Sequence, residues 1–210
     1  HCSVRRQRQM CIRDRDYESP SFGTWEYDWR IGYETADKYK SWSSEGYERR
    51  FAKIAGSYYP IDNFKLSYSF RVREEDEWLN WIDGNELAVY DLTQKIISFN
   101  MNWFEGRKHE VRLKSQFVAL DAENPISLIS NSDGYLFNHT SDVKPFTQGI
   151  ASFQIRYKYE IAPLSYIYAV YTKGGRVYDD ENERNTSKVF KDPWNNPDNE
   201  IFSLKFRLKF

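Results

Sequence analysis

Cysteine and long hydrophobic runs are scarce in this sequence. Two of its 210 residues are cysteine, Cys2 and Cys11, and both fall in the first fifteen. Disulfides, cysteine–zinc sites and thiol nucleophiles are therefore excluded for the rest of the chain. No stretch approaches the roughly 18 consecutive apolar residues that a membrane-spanning helix requires, so helical membrane proteins are excluded as well.

Histidine is also too sparse to indicate a reactive centre. Beyond the first residue the sequence has only His109, which follows a tight-turn sequence, and His139, which lies in a long polar segment. We do not expect these two rings to meet. The oxygen-rich segment 192–200 lacks the spacing of a calcium loop. We therefore expect no catalytic residue, no metal and no cofactor, and we interpret the chain as not an enzyme.

Aromatic residues, in contrast, are abundant in a chain that is polar on average. Aromatics make up 18% of the residues and charged residues 29%, and the mean hydropathy is −0.79. A disordered chain is poor in aromatics, so disorder is excluded. Two classes combine these properties: a soluble β-rich glycan binder, and an outer-membrane β-barrel with a polar lumen and aromatic girdles.

The first fifteen residues are interpreted separately. Residues 5–15, RRQRQMCIRDR, match the translation of a sequencing-library transposon adapter. We interpret residues 1–15 as adapter-derived and residues 16–210 as one domain. The alternative is a basic arm that binds nucleic acid or targets an organelle. The adapter interpretation predicts a gene cut at its 5′ end, and it predicts that residues 1–15 lack regular pairing with any sheet.

From Gly23 onward, apolar residues recur with a period of two. Residues 202–210 alternate Phe or Leu with Ser, Lys or Arg, which predicts a strand with one apolar face and one polar face. Similar patterns predict eight strands, at about 24–34, 48–59, 64–72, 97–103, 110–119, 153–161, 164–173 and 201–210. The faces of the strands at 48–59 and 164–173 cannot be assigned from the sequence.

The connections between these strands alternate between short and long. Short turns are predicted near 60–63, 105–106 and 162–163, and long polar segments near 35–47, 76–88, 120–147 and 174–200. This alternation predicts an all-β, antiparallel up-and-down meander. The strands exceed the usual length of about 5–6 residues and suit the C-terminal part of a transmembrane barrel. We expect an open or imperfectly closed sheet, with the strand at 24–34 as its edge.

The two faces of the predicted strands differ in chemistry. Seven apolar residues are expected to contact lipid: Phe99, Met101, Leu113, Phe153, Ile155, Leu204 and Phe206. Six basic residues are expected to face a lumen: Arg112, Lys114, Arg156, Lys158, Lys205 and Arg207. One interpretation of the charged face is a neutralising lattice of salt bridges. The other is a basic stripe that attracts an anionic solute, as charged rings do in pores.

Aromatic side chains also cluster beside the short turns, as in the interfacial girdles of membrane barrels. The candidate girdle residues are Tyr59, Phe64, Trp103 and Tyr159. The alternative is that these aromatics form the core of a soluble β-sandwich.

The C-terminus, with Phe206, Leu208 and a terminal Phe210, resembles the assembly signal of bacterial outer-membrane proteins. This resemblance implies recognition by the barrel-assembly machinery. Segments 66–71, 102–114, 153–165 and 171–175 resemble an uncharacterised outer-membrane barrel domain. In its Gram-negative family, that domain follows an N-terminal carbohydrate-binding module of the family 9 type.

The family resemblance implies the bacterial outer membrane as location, the lipid bilayer as partner, and contact with saccharide through an N-terminal module absent from this chain. It implies no catalytic residue. We expect a barrel segment that serves as an anchor or channel associated with saccharide handling at the cell surface, without a nucleic-acid partner. The alternatives are an outer-membrane hydrolase with its site on the long loops, and a soluble β-sandwich module that binds glycans.

Overall fold

The computed structural model describes residues 11–35, 48–179 and 186–209. These residues form one antiparallel sheet and one helix, α1, at Thr186–Asn195. The ten strands are β1 Cys11–Glu18, β2 Trp25–Thr35, β3 Glu48–Ile61, β4 Phe64–Asp83, β5 Glu86–Glu105, β6 His109–Ser130, β7 Leu136–Asn138, β8 Phe146–Ala162, β9 Ser165–Asp179 and β10 Asn199–Arg207. The predicted all-β meander is confirmed.

The order of strands in the sheet follows their order in the chain. The path runs from β1 to β6 and on through β8, β9 and β10, while β7 pairs with β6 off this path. Two-residue turns keep β3 beside β4, β4 beside β5 and β8 beside β9. At the turn between β4 and β5, Gly84 adopts a φ of 51°, a left-handed conformation that glycine tolerates without steric cost.

All eight predicted strands are present, but several are much longer than the sequence pattern indicates. The segment 76–88, expected to be a loop, continues β4 and β5 as far as their turn. The alternation is broken there because the register shifts between Glu75 and Trp78, where Glu77 adopts a φ of 58°. A bulge of this kind moves side chains to the opposite face, so a strict period of two fails across it.

The other two described long segments are structured too. Strand β6 extends to Ser130, β7 occupies Leu136–Asn138 and β8 begins at Phe146, so 131–135 and 139–145 remain loops as expected. In the segment 174–200, β9 continues to Asp179 and α1 follows before β10. The predicted loop at 35–47 lies almost entirely outside the described residues.

The prediction that residues 1–15 do not pair with the sheet is wrong for residues 11–15. They belong to β1, which pairs with β2 from Cys11 opposite Thr35 to Glu18 opposite Asp28. The backbone of an edge strand offers hydrogen-bonding groups to any extended segment, whatever its side chains. Residues 1–10 lie outside the described part of the chain.

Because β1 covers β2, the strand at 24–34 is not an edge, contrary to expectation. Among the described strands, β10 pairs with β9, and no ladder joins β10 to β1 or β2. No closure of the sheet is therefore seen among the described strands. None of the helices in the described ranges is long and apolar enough to cross a membrane.

A small core lies at the end of the sheet where the long connections meet. Tyr90 and Phe146 pack there edge to face, with ring centroids 5.2 Å apart, beside the fully buried Ala88 and Ala122. The Trp78 ring packs against the same cluster. This core joins the extensions of β4, β5, β6 and β8, so those extensions are part of the folded sheet.

Helix α1 packs on the sheet through a glycine-lined surface. Gly149 of β8 and Gly175 of β9 both lie close to the helix. A Cβ atom on Gly149 would collide with the backbone carbonyl of Val189, and a Cβ atom on Gly175 would collide with that of Pro193. Trp194 places its ring edge to face with Phe153, at a centroid distance of 5.6 Å. The helix is therefore seated on β8 and β9.

Candidate functional site

The register of the sheet places the six predicted basic residues on one face, which we call the polar face. Residues directly opposite each other in neighbouring strands share a face. Arg112 of β6 lies opposite Arg156 of β8. Tyr168 of β9 lies directly opposite Lys158 of β8 on one side and directly opposite Lys205 of β10 on the other. Lys114 follows Arg112 at alternate spacing, as Arg207 follows Lys205, so all six share this face. We refer to these six residues as the basic patch.

The seven residues expected to contact lipid lie together on the opposite face, which we call the apolar face. Met101, Leu113 and Ile155 are consecutive partners across β5, β6 and β8. Large side chains on this face are strongly exposed, including Phe206 with 59% of its surface accessible. The sheet thus separates its chemistry by side, with exposed hydrocarbon on one face and charge on the other.

Glu110 of β6 is the centre of the basic patch. One of its carboxylate oxygens forms ion pairs with Arg112 and with Arg156, the latter at 3.1 Å. Lys158 Nζ lies 3.5 Å from the other oxygen. The Glu110 side chain is only 12% exposed, so its charge is screened by protein cations more than by water. One acid thus serves three cations.

The remaining cations of the patch have no comparable acid. Within the described ranges, Lys114, Lys205 and Arg207 form no ion pair. Arg112 and Arg156 are directly opposite each other, and like charges in that position destabilise a sheet. The Nε atom of Arg156 is buried and lacks a hydrogen-bond acceptor. The patch therefore carries an excess of donors and of positive charge.

A second charged cluster on the polar face, at β2 to β4, has more acids to pair with its cations. Arg49 lies 3.0 Å from Glu34 and 3.0 Å from Glu75. Lys53 pairs with Asp28 at 2.8 Å. Two open cavities of about 500 and 380 Å³ adjoin this cluster, and Asp28 and Lys53 line both. This half of the polar face fits the neutralising lattice.

The four candidate girdle residues do not all share a face. Phe64 and Trp103 are direct partners at the short-turn end of the apolar face. Tyr159 lies on the same face, with its ring 4.8 Å from that of His109. Tyr59 is on the polar face, where its hydroxyl donates to Glu26 at 3.1 Å and Lys65 lies 4.9 Å from its ring. Tyr59 is therefore on the other face of the sheet from these three.

The sequence could not assign Tyr59 because β3 carries two adjacent tyrosines, 58 and 59, and its alternation is unclear. The register of β3 with β4 becomes irregular between Tyr58 and Ile61. One of two neighbouring residues in a strand must face each side. Tyr58 takes the apolar side, where its ring stacks on Trp25 at 4.2 Å.

Two of the three candidate assembly residues are described. Phe206 and Leu208 are both exposed, while Phe210 lies outside the described residues. The backbone nitrogen of Lys209 donates to the Ser165 hydroxyl at 3.1 Å. This hydrogen bond fastens the end of the last strand to the short-turn end of β9.

The two histidines are not brought together. His109 begins β6 and its Nδ1 lies 2.7 Å from the Tyr157 hydroxyl. His139 follows β7 at the far end of β6, where its Nε2 is 3.8 Å from Glu86. In the described ranges no group of three or more His, Cys, Asp or Glu residues could hold a metal ion.

An aromatic cluster on the polar face was missed by the sequence interpretation. Phe146 stacks on Tyr178 with ring centroids 5.1 Å apart and contacts the buried Tyr90. Burial raises the pKa of Tyr90 to about 12. From the sequence, these rings lie in or beside segments that we predict to be long loops. The only sequence feature that could have indicated the cluster is the presence of aromatic residues in those segments.

Comparisons with known proteins identify no relative. No protein-family model, no curated protein and no solved structure matches the chain.

Proposed function

We propose that the chain is a segment of a bacterial outer-membrane β-barrel, with its apolar face toward lipid and its polar face toward a lumen. Its role is that of an anchor or channel associated with saccharide handling at the cell surface. The observation that carries the proposal is the sorting of a single-layer sheet into an exposed apolar face and a charged face.

The energetics of the apolar face support lipid as its neighbour. Phe202, Leu204 and Phe206 of β10 are all more than half exposed. Removing one such side chain from water stabilises a protein by about 1.5–3 kcal/mol. A soluble monomer rarely exposes a continuous apolar surface of this extent. In hydrocarbon the same surface carries no such cost.

The dimensions of the sheet are compatible with a bilayer. The segment from His109 to Phe117 has nine residues, which extend about 30 Å at about 3.3 Å per residue. Tilted by about 40°, it spans about 23 Å, close to the apolar band of about 25 Å in membrane barrels. Helix α1 contacts Phe117 through Trp194, so the helix lies at the level where this band ends.

The location, the barrel-assembly machinery and the saccharide partner come from the resemblance of the C-terminus and of the longer segments. The alternatives have less support. A β-sandwich needs a second sheet over the apolar face, and within the described ranges only α1 lies on it. A hydrolase site needs converging acids and histidines, whereas His109 and His139 lie at opposite ends of β6.

Neighbouring positions of β8 test the proposal. Ile155 is on the apolar face and Gln154 on the polar face. Each would be replaced by cysteine in a background with Cys2 and Cys11 changed to serine, spin-labelled, and reconstituted in phosphatidylcholine vesicles. We expect the label at 155 to collide with oxygen and not with a water-soluble nickel chelate, and the label at 154 to show the reverse.

Two outcomes would contradict a barrel. A label at 155 that neither reagent reaches would indicate a buried sandwich core. A label at 155 that the nickel chelate reaches freely would indicate a face in water. The label at 154 is the matched control, because it differs by one residue in the same strand and lies on the other face.

A further inference from the structure

We infer that the basic patch is a binding site for small solutes that carry two or more carboxylate or phosphate groups. The inference rests on the proposed function, because it assigns a solute class to the polar face of the barrel. The solute would lie on the half of the polar face formed by β6, β8, β9 and β10.

The first argument is charge. In β6, β8, β9 and β10 this half of the polar face carries seven cations, the basic patch and Arg176, and the acids that share it are Glu110 and Glu160. The cluster at β2 to β4 shows that the same sheet can match cations with acids, since Arg49 alone contacts Glu34 and Glu75. The excess of five positive charges is thus local, and it attracts anions most strongly where water is limited.

The second argument is geometry. Glu110 already shows how the patch holds a carboxylate, with Arg112, Arg156 and Lys158 around its two oxygens. Guanidinium groups and carboxylates or phosphates match in shape as well as in charge.

The third argument is spacing. Lys205 and Arg207 of β10 are separated from the Glu110 cluster by one strand, β9. Two strand spacings amount to about 10 Å, and long basic side chains shorten the gap between the charges. Between them β9 presents Tyr168, which lies directly opposite both Lys158 and Lys205, and Tyr166, which lies opposite Arg207. A solute with one anionic group would engage one side, whereas a solute with two or three would engage both.

The test measures citrate binding by titration calorimetry on the intact chain, folded in detergent micelles at constant ionic strength. We expect wild-type protein to bind citrate and the double variant Lys205→Gln/Arg207→Gln to bind it about tenfold more weakly or worse, because charge-assisted contacts are lost. The matched control is Lys65→Gln/Arg71→Gln, which removes the same charge from the polar face at β4. It should change affinity less than about twofold.

A third variant is expected to raise the affinity for citrate instead of lowering it. Glu110→Gln removes the acid that occupies Arg112, Arg156 and Lys158, so citrate should bind more tightly. Inorganic pyrophosphate is the second probe and should follow the same order among variants. Absence of citrate binding, or an equal loss in the control variant, would overturn the inference. Spin-label accessibility at 155 and 154, measured on the same preparation, shows separately whether the barrel proposal holds.

Discussion

Single residues on the polar face are arranged in two opposite ways. Arg49 is one cation between two acids, Glu34 and Glu75. Glu110 is one acid among three cations. The sequence could predict which residues share the face, because a period of two decides that. It could not predict the pairing, because the pairing depends on which residues of neighbouring strands lie opposite each other.

Tyr90 gives a prediction about pH. Its phenol is 2% exposed, and burial raises its pKa from 10.0 to about 12. Because the phenol ionises more easily in the unfolded chain than in the folded one, ionisation favours unfolding. The contribution of the buried phenol to the free energy of unfolding is therefore complete below pH 10 and is lost as the pH rises toward 12. We expect Tyr90→Phe to lose less free energy of unfolding than wild type between pH 10 and 12, as measured by denaturation in detergent at each pH.

Tyr135→Phe is the control for this measurement, because Tyr135 is exposed and lies outside the aromatic cluster. Its alkaline stability profile should follow that of wild type. If the Tyr90 and Tyr135 variants gave the same profile, burial of the Tyr90 phenol would not contribute to the alkaline loss of stability.

At the scale of elements, α1 depends on the two glycines beneath it. Pro193 has no amide hydrogen to donate to the Val189 carbonyl, and this carbonyl lies against Gly149. We expect Gly149→Ala or Gly175→Ala to displace the helix, since the added methyl group meets backbone rather than a flexible side chain. Separation of Trp194 from Phe153 would appear as a changed near-ultraviolet circular dichroism spectrum and faster proteolysis near α1.

Gly174→Ala is the matched variant, one residue away in the same strand. A Cβ atom there would be 3.4 Å from its nearest neighbours, which is close but tolerable contact. This variant should keep the wild-type spectrum and proteolysis rate. Equal effects at 174 and 175 would show that β9 tolerates no side chain at either position, and the contact with α1 would not be the cause.

Periodicity predicted the strands well where one face is largely apolar, as in residues 97–103 and 110–119. It failed beyond Glu75, where a bulge changes the face, and in 186–195, where an internal proline and many polar residues indicate a loop. A helix of ten residues is marginal on its own and requires packing for stability. Contacts with Gly149 and Gly175 supply that packing, and no local pattern reports them.

For the whole molecule, the C-terminal residue gives a prediction about assembly. Deleting Phe210, or replacing it with a charged residue, should abolish insertion of the protein into the outer membrane while its synthesis continues. A charge at that interface costs up to about 1 kcal/mol next to lipid, which is too little to unfold a barrel. A large effect would therefore reflect lost recognition during assembly. Outer-membrane fractionation, followed by a test for heat-modifiable protein, measures the outcome.

Leu208→Ala serves as the comparison, because it shortens an exposed apolar side chain and leaves the terminal phenylalanine in place. We expect at most a partial loss of inserted protein for this variant. Unchanged amounts of heat-modifiable protein after deletion of Phe210 would show that the terminal residue is not an assembly signal.

The strand order has a consequence for how the sheet forms. Each long strand pairs with its neighbours along the path. When the sheet adds one strand during folding, it therefore closes only the loop between that strand and the one before it. The entropy lost in closing a loop rises with its length, and it stays small here at the two-residue turns. The sheet can therefore lengthen hairpin by hairpin, with each finished hairpin as the template for the next.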